Sequence, residues 1–188
     1  MEWKLGLPRR ISYQLSAHAS PMGKHKIGPF GDHMDLKPGD KAPNFRLATD
    51  GGGEVSLAAL KGKPFVLYFY PKDDTSGCTK EAVGFSESLK KFAALGVAVI
   101  GVSKDSATSH DKFKAKYKLK LVLASDPETQ TALAYGVWVK KSMYGRSYMG
   151  MERATFLVDA KGVIREIWRK VKVPGHVEAV LTAAKALK

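Results

Sequence analysis

The residue best suited to chemistry in this sequence is its single cysteine, Cys78. It follows the segment YPKDDTSG, at the point where an apolar run ends and a helical pattern begins. In the first turn of a helix, unpaired backbone N–H groups and the positive end of the helix dipole stabilise a negative charge. Because the thiolate is the nucleophilic form of cysteine, this position predicts a reactive sulfur at Cys78.

The residues after Cys78 predict where its side chain lies. Ala82, Phe85, Leu89 and Phe92 follow it at helical spacing and form one apolar stripe. Cys78 therefore begins a core-facing helix, and we expect it in a narrow, partly dry pocket. The spacing alone leaves a second interpretation open, in which Cys78 is a small core residue, as many free cysteines are.

The loop before this helix resembles the active site of a known family. Pro71, three further residues, Thr75, two further residues and then Cys78 resemble the active-site signature of the peroxiredoxins. Glu81, three residues after the cysteine, also fits that pattern. The resemblance favours the reactive interpretation of Cys78 over the core interpretation.

A second stretch, KSMYGRSYMGMERATFLVD, resembles the part of the peroxiredoxins that carries their active-site arginine, here Arg153. The similarity runs from about Leu36 to the C-terminus. It is closest to the bacterioferritin comigratory protein branch, also called peroxiredoxin Q. The resemblance implies a thiol-dependent peroxidase of antioxidant defence that uses no cofactor and no metal.

The resemblance also implies roles for the two main site residues. The Cys78 thiolate would attack one peroxide oxygen, releasing water or an alcohol and leaving a sulfenic acid. Arg153 would favour the thiolate and stabilise the negative charge that spreads over the peroxide oxygens. The alternative interpretation of Arg153 is a surface salt bridge.

Three supporting residues follow from the same resemblance. The hydroxyl of Thr75 can bond both the thiolate and an incoming peroxide, and it can also cap the coming helix. Pro71 would shape the loop and shield the thiolate from water. Glu81 would orient Arg153, and its alternative interpretation is an ordinary exposed acid of the first helical turn.

The sequence departs from the branch at Val83, where many relatives carry a second cysteine that captures the sulfenic acid. Since no other cysteine exists, the recycling thiol must come from outside: thioredoxin, glutaredoxin, glutathione or another small thiol. A disulfide between two copies of Cys78 is the open alternative. A thioredoxin-type oxidoreductase is excluded, because position 81 is Glu rather than Cys. Relatives are commonly monomers, so we expect a monomer, with a dimer as the alternative.

The net charge of +13 suggests a partner of a different kind. The phosphate backbone of nucleic acid would attract so basic a protein, but no RNA-recognition signature or zinc-finger spacing is present. The lysines that alternate from Lys112 to Lys120 would spread around a helix rather than form one stripe. Weak attraction to acidic surfaces is the favoured interpretation. A basic binding or chaperone-like module with incidental peroxidase activity is the competing functional hypothesis.

Residues 1–35 differ from the rest, because they are basic, lack a sustained period and contain Glu2 and Asp32 as their acids before Asp35. We expect a disordered extension. An organelle transit peptide and a natural start at Met34 are both open interpretations. No secretory signal peptide and no membrane-spanning run of about 20 apolar residues is present. The lone cysteine favours a reducing compartment, and we expect the cytoplasm.

From residue 36 to 188 the pattern alternates between strands and helices. It predicts an α/β, thioredoxin-like fold with a mixed central β-sheet flanked by helices. The predicted strands are Asn44–Ala48, Glu54–Leu57, Pro64–Tyr70, Val97–Val102, Leu121–Ala124, Ala154–Asp159 and Val163–Arg169. The predicted helices are Gly77–Leu95, Ser106–Tyr117, Pro127–Tyr135 and Gly175–Lys188.

Overall fold

A computed structural model of the chain describes residues 35–143 and 145–187. The extension predicted for residues 1–35 lies outside this part, apart from Asp35. The strands are β1 (Arg46–Thr49), β2 (Glu54–Ser56), β3 (Phe65–Phe69), β4 (Ala98–Ser103), β5 (Val122–Ser125), β6 (Trp138–Met143), β7 (Arg146–Met151), β8 (Ala154–Val158) and β9 (Ile164–Trp168). The helices are α1 (Ser76–Ala94), α2 (Ala107–Tyr117), α3 (Gln130–Ala134) and α4 (His176–Lys185).

Seven strands form one mixed sheet in the order β2-β1-β5-β4-β3-β8-β9. Strands β3, β4 and β5 are parallel, whereas β8 is antiparallel to β3 and β1 is antiparallel to β5. All five residues of β3 are buried, as its unbroken apolar sequence predicts for a strand covered on both faces. The predicted thioredoxin-like α/β fold is confirmed.

The two faces of the sheet carry separate hydrophobic clusters. Alternate residues of β3 enter different clusters, since Leu67 and Phe69 lie in one, and Val66 and Tyr68 in the other. Helices α1, α2 and α4 cover the face that holds Tyr68, where Phe85 of α1 stacks on its ring at 4.7 Å between centroids. Helix α3 covers the opposite face.

Two elements differ from the prediction. Helix α3 begins at Gln130 rather than Pro127, because Thr129 adopts a left-handed backbone conformation with φ of 56°. The carboxylate of Asp126 accepts hydrogen bonds from the N–H groups of Thr131 and Ala132, at 3.3 and 2.8 Å. N–H groups in the first turn of a helix have no partner within the helix, so Asp126 satisfies two of them.

The second difference is a hairpin of β6 and β7 that the sequence analysis missed. The two strands form a separate two-stranded sheet in the described part of the chain. The first four residues of β7 are exposed, so the hairpin lacks the alternating apolar pattern by which a half-buried strand is identified. Its base is anchored, because Met151 is buried and the Glu152 N–H donates to the carbonyl of Val137 at 2.7 Å.

Candidate active site

The loop after β3 places Cys78 in the first turn of α1. The Tyr70 N–H donates to the carbonyl of Val102 at 3.0 Å, which extends the β3–β4 pairing to the loop. The chain then turns, and the Thr79 N–H donates to the carbonyl of Thr75 at 2.8 Å as the helix begins. The Cys78 side chain is therefore at the amino end of α1, and the residue is only 1% exposed.

The guanidinium of Arg153 lies against this sulfur. Its Nη2 donates to Cys78 Sγ at 3.2 Å, although the two residues are 75 positions apart. The contact follows from the sheet, because Arg153 precedes β8, and the first residue of β8, Ala154, is the register partner of Phe69 at the end of β3. A Cβ atom on Gly77 would lie 3.3 Å from Nη2, so the glycine leaves room for the guanidinium. A charge-assisted bond of this kind favours the thiolate.

Glu81 holds the other side of the guanidinium. Its Oε2 accepts a hydrogen bond from Arg153 Nη1, while its Oε1 is buried with no partner. The Glu81 side chain is fully buried and that of Arg153 is 16% exposed. Burial raises the pKa of Glu81 to about 7, and the charge of Arg153 opposes part of that rise. A surface salt bridge and an exposed first-turn acid, the two alternative interpretations, therefore do not describe these residues.

The structure shows no hydrogen bond from Thr75 to the sulfur, and both Thr75 and Pro71 are exposed. Thr75 is exposed, and its hydroxyl donates to the carbonyl of Lys72 at 3.1 Å rather than to Cys78. It occupies the position before α1 but makes no side-chain cap bond, so the predicted cap is wrong in that respect. The exposed hydroxyl instead closes the turn by bonding a carbonyl three residues back, as threonine hydroxyls commonly do in loops. Pro71 is exposed at the start of the same loop.

A second polar cluster, which the sequence analysis missed, joins the loop to α2. Asp73 is buried there and accepts bonds from the hydroxyls of Tyr70 and Ser109, at 2.7 and 2.8 Å. Nδ1 of His110 lies 2.9 Å from the same carboxylate. The available signal was a histidine at an inward position of α2, in a helix that carries none of the recognised motifs. A histidine in that place needs a buried partner.

Two further observations concern what the described ranges contain. No group of three or more His, Cys, Asp or Glu side chains within them is arranged to hold a metal ion. No helix within them has both the length and the apolar character required to cross a bilayer.

The chain is similar to known proteins of one family. Residues 38–167 match the profile of the AhpC/TSA family. The chain is 51% identical over 148 residues to a putative peroxiredoxin Bcp of Coxiella burnetii, covering 79% of this chain and 98% of that protein. It is 48% identical over 152 residues to peroxiredoxin Bcp of Bacillus subtilis, covering 81% and 97% of the two chains.

A solved structure of the bacterioferritin comigratory protein from Xanthomonas campestris, described in connection with alkyl peroxide reduction, superposes with a TM-score of 0.73. That protein is 44% identical, and the match covers 76% of this chain and 90% of that one. Sequence, fold and the pairing of Cys78 with Arg153 thus lead to one conclusion. The chain belongs to the AhpC/TSA family and is a peroxiredoxin of the Bcp, or peroxiredoxin Q, group, a thiol-dependent peroxidase.

Proposed function

We propose that Cys78 is the residue that peroxide oxidises, with Arg153 as its activating partner. The observation that carries the proposal is the 3.2 Å bond from Arg153 Nη2 to Cys78 Sγ at the amino end of α1. The thiolate attacks the terminal oxygen of a hydroperoxide, a sulfur–oxygen bond forms and the O–O bond breaks. The departing alkoxide or hydroxide takes up a proton, and Cys78 is left as a sulfenic acid.

Arg153 has two tasks in this step. It favours the thiolate before the reaction and stabilises the charge that develops on the departing oxygen. Glu81 keeps the guanidinium in place, because the bond to Nη1 leaves Nη2 directed at the sulfur. Both side chains are largely removed from water, so their electrostatic effects on the reacting atoms are screened little.

Thr75 and Pro71 complete the site from the loop. Rotation of the Thr75 side chain away from the Lys72 carbonyl would let its hydroxyl bond the sulfur or the incoming peroxide. A threonine hydroxyl can both donate and accept, so it suits a peroxide oxygen that also does both. Pro71 limits the conformations of the loop entrance and offers no N–H to water.

The sulfenic acid is reduced by an external thiol. Val83, half-buried on α1, stands where many relatives carry their second cysteine. One thiol forms a mixed disulfide with Cys78 and releases water, and a second thiol then frees the Cys78 thiolate and leaves as a disulfide with the first. Thioredoxin, glutaredoxin, glutathione and other small thiols are the candidate reductants. A reducing compartment such as the cytoplasm supplies them.

Self-resolution by two copies is disfavoured by burial. A disulfide requires the two Cα atoms to approach within about 7 Å. Two copies would both have to expose a sulfur that is 1% exposed here, whereas an external thiol requires only one of them to do so. We therefore propose a monomer that works with a separate reductant. The Xanthomonas campestris relative is described in connection with alkyl peroxide reduction, so we propose alkyl hydroperoxides as substrates alongside hydrogen peroxide.

The proposal is tested by peroxide consumption with a dithiol reductant. The parent protein should consume hydrogen peroxide and an alkyl hydroperoxide, and Cys78→Ser should consume neither. Mass spectrometry after peroxide treatment without reductant should find added oxygen on Cys78. Peroxide consumption by Cys78→Ser at the parent's rate would overturn the assignment of Cys78 as the oxidised residue.

A further inference from the structure

The buried Asp73 carboxylate is the centre of a hydrogen-bond network that joins the loop to α2. The hydroxyl of Tyr70 donates to Oδ1 at 2.7 Å, and that of Ser109 donates to Oδ2 at 2.8 Å. His110, which is fully buried, approaches Oδ2 through Nδ1 at 2.9 Å. Asp73 is 6% exposed. Three side chains, one from the start of the loop and two from α2, thus converge on one carboxylate.

The protonation states in this network follow from its geometry. Burial alone would raise the pKa of Asp73, but the hydrogen bonds from His110, Tyr70 and Ser109 outweigh it and hold that pKa below its ordinary value. An ionised Asp73 can only accept, so Nδ1 of His110 carries the proton. The Nε2 atom of the same ring is buried without a partner. His110 therefore serves this network through Nδ1 alone.

The backbone of the loop is tied to the same region. The Asp73 N–H donates to Oδ2 of Asp105 at 2.8 Å, and Ser103 donates to that same oxygen at 2.7 Å. Asp74, the next residue, has a left-handed backbone with φ of 57°. Its carboxylate accepts bonds from Lys116 at 2.7 and 2.9 Å.

These ties act on the catalytic loop at its midpoint. Positions 73 and 74 lie between Pro71 and Thr75, and Thr75 directly precedes Ser76, the first residue of α1. A shift of Asp73 would therefore pass through three peptide units to the start of the helix that carries Cys78. The residues of α2 and of the end of β4 do not themselves take part in the hydrogen bond between Arg153 and Cys78.

We propose that Asp73 and His110 are positioning residues of the peroxidase site, which hold the loop so that Cys78 meets Arg153 and peroxide in one geometry; this rests on the proposed function. A buried ionised carboxylate is a poor means of stabilising a core, because apolar residues of similar volume often do as well or better. Its directional bonds are suited to fixing a loop, and displacements of about 1 Å at a reacting centre reduce rates by roughly 100-fold.

The test uses two amides that mimic different nitrogens of His110. In His110→Asn the side-chain N–H can occupy the place of Nδ1, whereas in His110→Gln it reaches the place of Nε2. We expect His110→Gln to lower kcat/KM for hydrogen peroxide by roughly 10- to 100-fold, and His110→Asn to recover most of that loss. The alkylation rate of Cys78 by iodoacetamide, measured across pH, should change in the same order.

A matched pair of tyrosines separates positioning from stability. Tyr70→Phe removes one buried hydroxyl bond in the network, and Tyr135→Phe removes one to the carbonyl of Pro43, at 3.0 Å, on the opposite face of the sheet. Both should lower the thermal midpoint by similar amounts, and only Tyr70→Phe should lower kcat/KM. The two tyrosine variants also test the positioning role if His110→Gln fails to fold.

The outcomes distinguish this inference from the function on which it rests. A parent protein that consumes no peroxide would overturn the proposed function before any variant is compared. An active parent whose His110→Gln and His110→Asn variants have equal kcat/KM would overturn only the positioning role. So would equal activity of Tyr70→Phe and Tyr135→Phe.

Discussion

Two buried carboxylates, Asp73 in the loop before α1 and Glu81 in α1 itself, have pKa values shifted in opposite directions. Glu81 faces Arg153, and burial raises its pKa to about 7. Asp73 faces α2, and its pKa lies below the ordinary value although burial opposes this. The difference is the number of donors, because Asp73 accepts from three side chains, whereas Oε1 of Glu81 has no partner.

The comparison shows that burial does not by itself decide the charge of an acid. Asp73 has enough donors to remain ionised, so it can act as a permanent anchor for the loop. Glu81 depends on one guanidinium, so its charge is sensitive to any change at Arg153 and to pH near neutrality. Two acids eight residues apart therefore differ in how strongly their charge is held, Asp73 by its donors and Glu81 by Arg153 alone.

The largest effect is expected from Arg153→Ala. The substitution removes the donor to Cys78 and leaves Glu81 buried without its partner. We expect kcat/KM for hydrogen peroxide to fall by roughly 100- to 1,000-fold, measured with saturating reductant. Arg153→Lys should recover only a small part, because a single ammonium cannot bond the sulfur and the carboxylate in the fork geometry of a guanidinium. Full activity in Arg153→Ala would refute the assigned role.

Matched amide substitutions test the comparison on stability. Asp73→Asn should lower the free energy of unfolding by about 2 to 3 kcal/mol at pH 7, because bonds to an ionised group are lost. Glu81→Gln should change it by less than about 1 kcal/mol, since Glu81 is near its pKa at pH 7 and the amide oxygen of glutamine can still accept the bond from Arg153. Urea unfolding of both variants measures the difference. Equal losses would show that the two acids are held alike.

The pH dependence of stability isolates Glu81. A carboxyl with a raised pKa binds its proton more tightly when folded, so it stabilises least at high pH. Its contribution should fall by about 2 to 3 kcal/mol as pH rises from 4.5 to about 7. His176 has the opposite slope, since burial and the charge of Arg153 lower its pKa to about 4. The free energy of unfolding should therefore be measured across pH for the parent and for Glu81→Gln. Subtracting one from the other cancels the contribution of His176, which is present in both. A flat difference would contradict the raised pKa.

The smallest effect is expected from Gly77→Ala. The added methyl would lie 3.3 Å from Arg153 Nη2, so the guanidinium must shift by a few tenths of an ångström. We expect kcat/KM to fall about threefold to tenfold, while stability is unchanged or higher by up to about 1 kcal/mol because alanine favours a helix. Unchanged activity would show that the guanidinium has room to adapt.

Much of the fold follows from local patterns. The unbroken apolar run of β3 and the apolar stripe of α1 predicted a central strand followed by a core-facing helix, and both are confirmed. The hairpin of β6 and β7 was missed because its exposed strands have no buried face to create a period. The start of α3 was misplaced, because the left-handed backbone of Thr129 interrupts a segment whose composition suits a helix.

The sequence by itself singled out the Cys78 sulfur and predicted its place at the start of a helix, because a lone cysteine and helical periodicity are local properties. The resemblance to the peroxiredoxins was needed to favour a reactive sulfur over a core residue. Only the tertiary structure decided which groups surround that atom. Arg153 reaches Cys78 through the antiparallel register of β3 and β8, and neither the burial of Glu81 nor the donors to Asp73 can be read along the chain. Register, desolvation and hydrogen-bond partners join residues that lie far apart in sequence, and they set the charges on which the chemistry depends.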